Sequence, residues 1–345
     1  MSAANAAAVH RPAARFSDGA FILAALAAIA LTALVASGAR SWIDRPFAGF
    51  FVRADRTVPP IGRTAWNPGD AGRLYDRTVV AIDGVAVAHS DDVHRRLAAK
   101  PIGSTFAVTL TGRGKTETVT VASRAFSVGD YWAIFGAYEF TGLLYLLLAI
   151  LAAWALPANR VGRALMMVGG TGGLFMLSAA DLYPPGASLR VHALTMVLLP
   201  ATLVHFALVV GNTRRWFARL ATSATWTIAL SAALSMQLLL GDPTAAHAVD
   251  VTCHATLALA LAAATTALIG VRTRVGFDAE PLLGCAAVFG LGAPAVIFLL
   301  AALGDAPVNA SATLGFLFPL GVGAGVLTDR VAVGALDVAR SAGSL

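Results

Sequence analysis

Two ionisable side chains lie inside long apolar stretches, where charged groups are costly and usually functional. Glu139, between two aromatic neighbours, is expected close to one membrane interface. His205 is expected deepest, nine residues before Arg214, on a helix that Pro200 is expected to kink. Both are predicted as intramembrane polar sites. For Glu139 the alternative is an interfacial carboxylate in contact with water, and for His205 it is a packing role.

The spacing of the chemical groups argues against an enzyme. A zinc intramembrane protease needs a His followed by Glu and a second His four residues on, and no His of this chain is followed by Glu. The G-x-S-G motif of serine intramembrane proteases is also absent. We therefore predict no enzymatic activity, no catalytic residue and no metal site.

Haem binding and disulfide formation are disfavoured by the same kind of spacing argument. His192 and His205 lie thirteen residues apart on one stretch, about 220° around a helix, so they do not share a face. His254 is expected near the outer end of another helix. Cys253 and Cys285 fall near opposite membrane faces and cannot pair. No cofactor is predicted, and without a basic stripe carrying aromatic residues neither is nucleic-acid binding.

The composition shows what positions these groups. Of 345 residues 57% are hydrophobic and only 13% are charged, and the mean hydropathy is +0.73. A soluble chain carries about a quarter charged residues. The sequence therefore predicts a polytopic α-helical membrane protein whose main partner is the lipid bilayer.

Eight stretches are apolar and long enough to cross a bilayer, which takes about 20 residues. The first has the basic start and small-residue end of a signal peptide, but its length favours an uncleaved anchor. The predicted spans are 20–39, 132–156, 164–180, 191–210, 220–240, 251–271, 282–303 and 307–327.

The loops between the spans predict the orientation. Eleven Arg residues fall at one side of the eight spans, and the short loops of the other side carry only Arg190. Basic residues concentrate in cytoplasmic loops, so both termini are predicted to be cytoplasmic. The predicted divisions are a cytoplasmic N-terminus (1–19), the first helix (20–39), an extracytoplasmic domain (40–130), a seven-helix membrane domain (131–328) and a cytoplasmic tail (329–345).

The segment 40–130 has the composition of a soluble domain. Residues 79–82 form a β-branched run that ends in Asp83-Gly84, a tight-turn pair, and Ser90 is a candidate N-cap for a short helix over 91–97. Residues 105–111 and 117–122 alternate as the two strands of a hairpin. The pattern predicts a small α+β domain.

This order resembles a bacterial PDZ domain over a core of residues 46–126. Residues 76–87 (DRTVVAIDGVAV) look like that family's strand–turn–strand stretch, although Tyr75 stands where the family usually has Gly. PDZ domains bind an extended peptide by strand addition, so the resemblance implies a groove for a periplasmic peptide or protein. The alternative is that its residues only fill the domain core. The implied peptide-binding residues are Phe47, Ala48, Gly49, Phe50, Phe51, Val93 and Leu97.

The whole layout is similar to the sensory half of bacterial membrane histidine kinases of the competence quorum-sensing type. Residues 44–50 (DRPFAGF) resemble the entry to the external domain of those proteins, and residues 318–338 loosely resemble the exit of their last helix. The resemblance implies a bacterial inner-membrane location with residues 40–130 in the periplasm. The family's phosphorylated His and ATP-binding domain have no counterpart after the last span.

We therefore expect a non-enzymatic membrane sensor or adaptor. It receives an extracytoplasmic signal, a peptide end or a lipophilic molecule, and passes it to a cytoplasmic kinase or other effector. One alternative is a PDZ-bearing membrane scaffold for periplasmic proteins, and another is a small-molecule transporter.

Overall fold

The computed structural model describes residues 18–327 apart from nine short gaps or single positions. The N-terminal residues 1–17 and the predicted tail 329–345 lie outside the described residues, as do the basic side chains of both segments. The gaps are 64, 67–70, 113, 158, 184–187, 212–213, 240–242, 273–279 and 304–307 within the chain, with 1–17 and 328–345 at its ends.

The protein is a multi-pass helical membrane protein, as predicted. Seven described helices are long and apolar enough to cross a bilayer. They are Gly19–Arg40, Val128–Ala155, Arg160–Ala180, Leu189–Val210, Val251–Gly270, Gly284–Ala302 and Asn309–Leu327.

Two of these spans contain a π-helical turn, Trp132–Gly136 in the second and Val288–Gly292 in the sixth, and the last is interrupted by a turn at Phe316. The long helices are α1 (Asp18–Arg40), α5 (Ala137–Ala155), α6 (Arg160–Ala180), α7 (Leu189–Val210), α8 (Arg215–Leu239) and α9 (Pro243–Arg272). The shorter helices are α2 (Ala71–Leu74), α3 (Ser90–Ala98), α4 (Val128–Tyr131), α10 (Glu280–Ala287), α11 (Ala293–Ala302), α12 (Asn309–Gly315) and α13 (317–327).

The predicted span 220–240 lies in helix α8, which is not among the seven apolar helices. This helix has 25 residues, enough length to cross a bilayer, but six of them are Ser or Thr. Those hydroxyl residues lower its mean hydropathy below that of its neighbours. Among the described residues the apolar spans therefore number seven rather than the eight expected.

The insert domain, residues 46–126, contains a four-stranded antiparallel sheet in the order β3-β2-β4-β5. Asp83 and Gly84 take positive φ angles of 49° and 76° between β2 and β3, as a tight turn requires. The predicted hairpin is confirmed as β4 and β5. The strands are β1 (Pro46–Phe47), β2 (Thr78–Ile82), β3 (Val85–Ala86), β4 (Thr105–Gly112), β5 (Lys115–Ala122) and β6 (Arg124–Ala125).

The N-cap of α3 differs from the prediction. His89, not Ser90, is the N-cap residue, and Ser90 is the first helical residue. The Asp92 carboxylate accepts hydrogen bonds from the backbone N–H groups of Ala88 and His89, at 3.3 and 3.1 Å. This side chain satisfies the amides before the helix, so the helix begins one residue earlier.

The membrane helices pack closely where the sequence places glycines four apart. A Cβ on Gly169 would lie 2.7 Å from the backbone N of Ala149, and one on Gly173 would lie 3.0 Å from the carbonyl O of Gly142. Helices α5 and α6 therefore approach each other at backbone distance.

Candidate functional site

The seven predicted peptide-binding residues are buried in the structure. The segment 47–52 alternates between two cores: Phe47 and Phe51 face the core of the membrane helices, whereas Ala48, Phe50 and Val52 face the core of the insert domain. Val93 and Leu97 of α3 also belong to the insert-domain core. Gly49, at φ 78°, is buried between Ala48 and Phe50 in the chain. This burial is what the core-filling alternative expects, and peptide binding by these residues stays a prediction.

Trp42 contacts both the loop that contains Phe51 and the helix α3. Its ring contacts Phe51 on the loop side, at a centroid distance of 5.3 Å, and His94 on the helix side, at 5.1 Å. Both contacts are edge-to-face, a favourable geometry for aromatic pairs. A residue of the segment that follows α1 therefore packs against both the loop and α3.

His94 holds the loop against α3. Its Nε2 lies 3.4 Å from the carbonyl oxygen of Val52. Burial lowers the pKa of His94 below its usual value, and the contact with the Val52 carbonyl opposes this only in part. The ring is consequently neutral at physiological pH.

The insert domain is hydrogen-bonded to the beginning of the last span. The backbone N–H of Val308 donates to the carbonyl oxygen of Pro60 at 2.7 Å, and the N–H of Gly62 donates to the Asn309 side-chain oxygen at 3.2 Å. Asn309 is the first residue of α12. The loop 59–62 therefore connects the domain to the helix that leads to the C-terminus.

A buried carboxylate fastens the same loop region to the second span. Asp130 accepts hydrogen bonds from Arg63 Nη1 at 2.7 Å and from the indole N–H of Trp66 at 2.9 Å. Ser127 adds its backbone N–H and hydroxyl, at 3.0 and 2.8 Å. A carboxylate satisfied by four donors, one of them charged, is a strong anchor.

Glu139 is buried, with 5% of its surface exposed, and its role as an intramembrane polar site stays a prediction. The Tyr131 hydroxyl donates to its Oε2 at 2.7 Å. Arg40, at the end of α1, lies beside both groups. The Oε1 atom has no hydrogen-bond partner among the described residues. The cluster joins the first and second spans just below the insert domain.

A cavity of about 30 Å³ lies where the insert domain meets the bundle. Arg53 reaches it from the domain, and His192 of α7 and His254 of α9 reach it from the bundle. The His192 ring stacks on Phe175 at 4.8 Å, and His254 on Phe298 at 5.7 Å. The volume has room for about one or two water molecules.

The sequence did not predict that His192 and His254 line the same cavity. His192 lies near the beginning of α7 and His254 about a third of the way along α9, both at the end of the bundle that the insert domain covers. The position of each histidine relative to the end of its apolar stretch could have indicated that both lie at the same end of the bundle. Arg53 could not have been added, since only the folded domain brings it there.

His205 lines a second and much larger cavity, of about 720 Å³, at the basic end of the bundle. Its Nδ1 lies 3.4 Å from the Thr222 hydroxyl of α8, and Pro200 lies inside the same helix. Three arginines, from α6 and α8, surround the histidine. In the sequence these arginines indicated only the orientation of the spans, and their position around one cavity was not predicted.

The site contains no recognisable metal centre in the part of the chain that the structure describes, where no three His, Cys, Asp or Glu side chains are grouped. Comparison with known proteins adds no relative. No protein family matches the chain, and neither a curated protein nor a solved structure is significantly similar to it.

Proposed function

We propose that this protein is a non-enzymatic membrane sensor or adaptor, in which the insert domain receives an extracytoplasmic signal and the helix bundle passes it to a cytoplasmic partner. One observation carries the proposal: the loop 59–62 is hydrogen-bonded to Val308 and Asn309, at the beginning of the last span. A displacement of the domain therefore acts directly on the helix that continues into the C-terminal tail.

The aromatic contacts suggest how a ligand acts. A ligand shifts an equilibrium only if it binds two packings with different affinity. A peptide that enters between the loop and α3 has to displace Trp42 from Phe51 and His94. Because Phe51 also stacks on Tyr183 at 4.3 Å, this displacement disturbs the packing of the domain on the bundle.

The resemblance to the sensory halves of quorum-sensing histidine kinases supports the same proposal. A PDZ-like domain then faces the periplasm, and the effector is a cytoplasmic kinase or another signalling enzyme. Helix α8 is the eighth crossing that places both termini in the cytoplasm. Its exposed residues support this, because apolar side chains such as Leu220, Ile228, Leu234 and Leu238 face outward along its whole length, as in a helix surrounded by lipid.

The test is crosslinking in cells from two positions. A photo-crosslinking residue is placed in the segment 330–345, which lies outside the described residues, or at exposed Ile102 of the insert domain. We expect the tail position to capture a cytoplasmic kinase, cyclase or phosphatase, and deletion of 330–345 to abolish signalling. The variant Asn309→Ala, with Asn159→Ala as control, should weaken the response without weakening capture.

The alternatives predict other outcomes. Capture of periplasmic proteins at Ile102, with none at the tail, refutes the sensor proposal and supports a scaffold. Loss of transport of a small molecule in Glu139→Gln or His205→Gln, with signalling absent from the unaltered protein, refutes it in favour of a transporter.

A further inference from the structure

We propose that the large cavity at the basic end of the bundle is a binding site for the phosphate headgroup of an anionic phospholipid. The cavity lies between α6, α7 and α8 and has a volume of about 720 Å³. Small-molecule sites usually enclose about 300–1,000 Å³, so a headgroup and the first part of its acyl chains fit here.

The charge of the cavity selects an anion. Arg160 and Arg163 of α6 face Arg219 of α8 across it, and His205 and Thr222 add further polar atoms. None of the described residues that line it is acidic. Guanidinium groups bind phosphate oxygens through paired, charge-assisted hydrogen bonds. Three of them around one opening form a phosphate site without a competing carboxylate.

The apolar side of the cavity distinguishes a lipid from a soluble phosphate. Met166 and Met167 of α6 and Leu208 and Val209 of α7 line the same space as the arginines. Met166 is 41% exposed, so this wall opens toward the surroundings of the bundle. A free phosphate has no apolar surface to bury against these side chains, whereas the acyl chains of a lipid pack against them. Among the described lining residues there is also no Phe, Tyr or Trp on which a nucleotide base could stack.

The position of the cavity also fits a headgroup. The neighbouring first turns of α8 expose Trp216 and Phe217, at 65% and 48% of their surface. Aromatic residues concentrate at the level of lipid headgroups, and basic pockets between membrane helices are known headgroup sites. The arginines are thus at the depth where a phospholipid phosphate lies.

The test measures the lipids retained by the full-length protein. The protein is reconstituted in nanodiscs of phosphatidylcholine alone or mixed with phosphatidylglycerol, and bound lipid is counted by native mass spectrometry. We expect the unaltered protein to retain phosphatidylglycerol selectively. Each of Arg163→Gln and Arg219→Gln should weaken this by about tenfold or more, as the loss of one charge-assisted contact implies. Arg190→Gln, at the other end of the bundle, is the matched control and should bind normally.

A second measurement does not depend on any variant. A photoactivatable phosphatidylglycerol should label peptides that contain residues 160–167 and 205–222, and unlabelled phosphatidylglycerol should compete. Equal competition by inorganic phosphate or soluble glycerophosphate overturns the lipid proposal in favour of a free-anion site. Undiminished selectivity in both arginine variants, or labelling spread evenly over all helices, overturns it outright.

Discussion

Phe51 holds the insert domain on the bundle, and its replacement should separate the two without unfolding either. The side chain is fully buried, and its ring contacts Tyr183 at 4.3 Å, Trp42 at 5.3 Å and Phe135 at 5.4 Å. None of these partners belongs to the sheet β3-β2-β4-β5. The adjacent Phe50 points the other way, into the core of the insert domain. Comparison of Phe51→Ala with Phe50→Ala therefore distinguishes the contact between domain and bundle from the stability of the domain itself.

Removing a buried Phe side chain costs about 3–5 kcal/mol. Since about 1.4 kcal/mol corresponds to a factor of ten, the weakened contact should open about 10²- to 4 × 10³-fold more often. In Phe51→Ala this loss falls on the contact between domain and bundle. In Phe50→Ala the same loss falls on the stability of the domain itself.

Hydrogen exchange followed by mass spectrometry in nanodiscs measures both effects. We expect Phe51→Ala to accelerate amide exchange in β1, β6 and the loop 59–62 by the factor above, with exchange in β4 and β5 unchanged. Phe50→Ala should instead accelerate exchange in β4 and β5. If Phe51→Ala accelerates exchange equally in the loop 59–62 and in the hairpin β4–β5, or in neither, the assignment of Phe51 to the contact between domain and bundle is refuted.

Three further variants test other contacts. Burial keeps the pKa of His94 below that of the unfolded chain, so the unfolded state binds more protons, and the insert domain should lose stability as the pH falls below about 6.5. His94→Gln should remove this pH dependence of the melting temperature. An unchanged dependence of the melting temperature on pH in this variant contradicts the prediction. Gly290→Ala puts a Cβ 2.3 Å from a backbone N of the last span and should destabilise the bundle by about 1–3 kcal/mol. Its control is Gly170→Ala, whose Cβ has nothing within 4 Å and which should leave the melting temperature in detergent unchanged or slightly raised. Tyr131→Phe leaves Glu139 without its hydroxyl donor and should cost about 1–3 kcal/mol; an unaltered melting temperature would show that Arg40 alone suffices.

Local patterns of the sequence predicted the elements of the fold. Hydropathy located the seven apolar spans, and alternation located the hairpin β4–β5. The span 220–240 shows the limit of this reasoning, because the Ser and Thr residues of α8 lower its hydropathy although the helix has 25 residues. The N-cap of α3 was displaced by one residue because the bonds of Asp92 to the preceding amides outweigh the preference for Ser.

The candidate site could be predicted only in part, because it is assembled from long-range contacts. Glu139 and His205 stand out by their charge in an apolar stretch, and the structure places both in polar surroundings. Nothing local shows that Arg53 meets His192 and His254, or that Arg163 faces Arg219. Such pairs depend on which helices become neighbours, and a single sequence does not record this.

The bond between Gly62 and Asn309 also bears on how the protein is made. The two residues are 247 positions apart in the chain, and synthesis proceeds from the N-terminus. The loop 59–62 is therefore synthesised long before its partners, and its two bonds can form only after residues 308 and 309 have been made. A chain that stops short of residue 308 lacks both of these bonds between the insert domain and the last span.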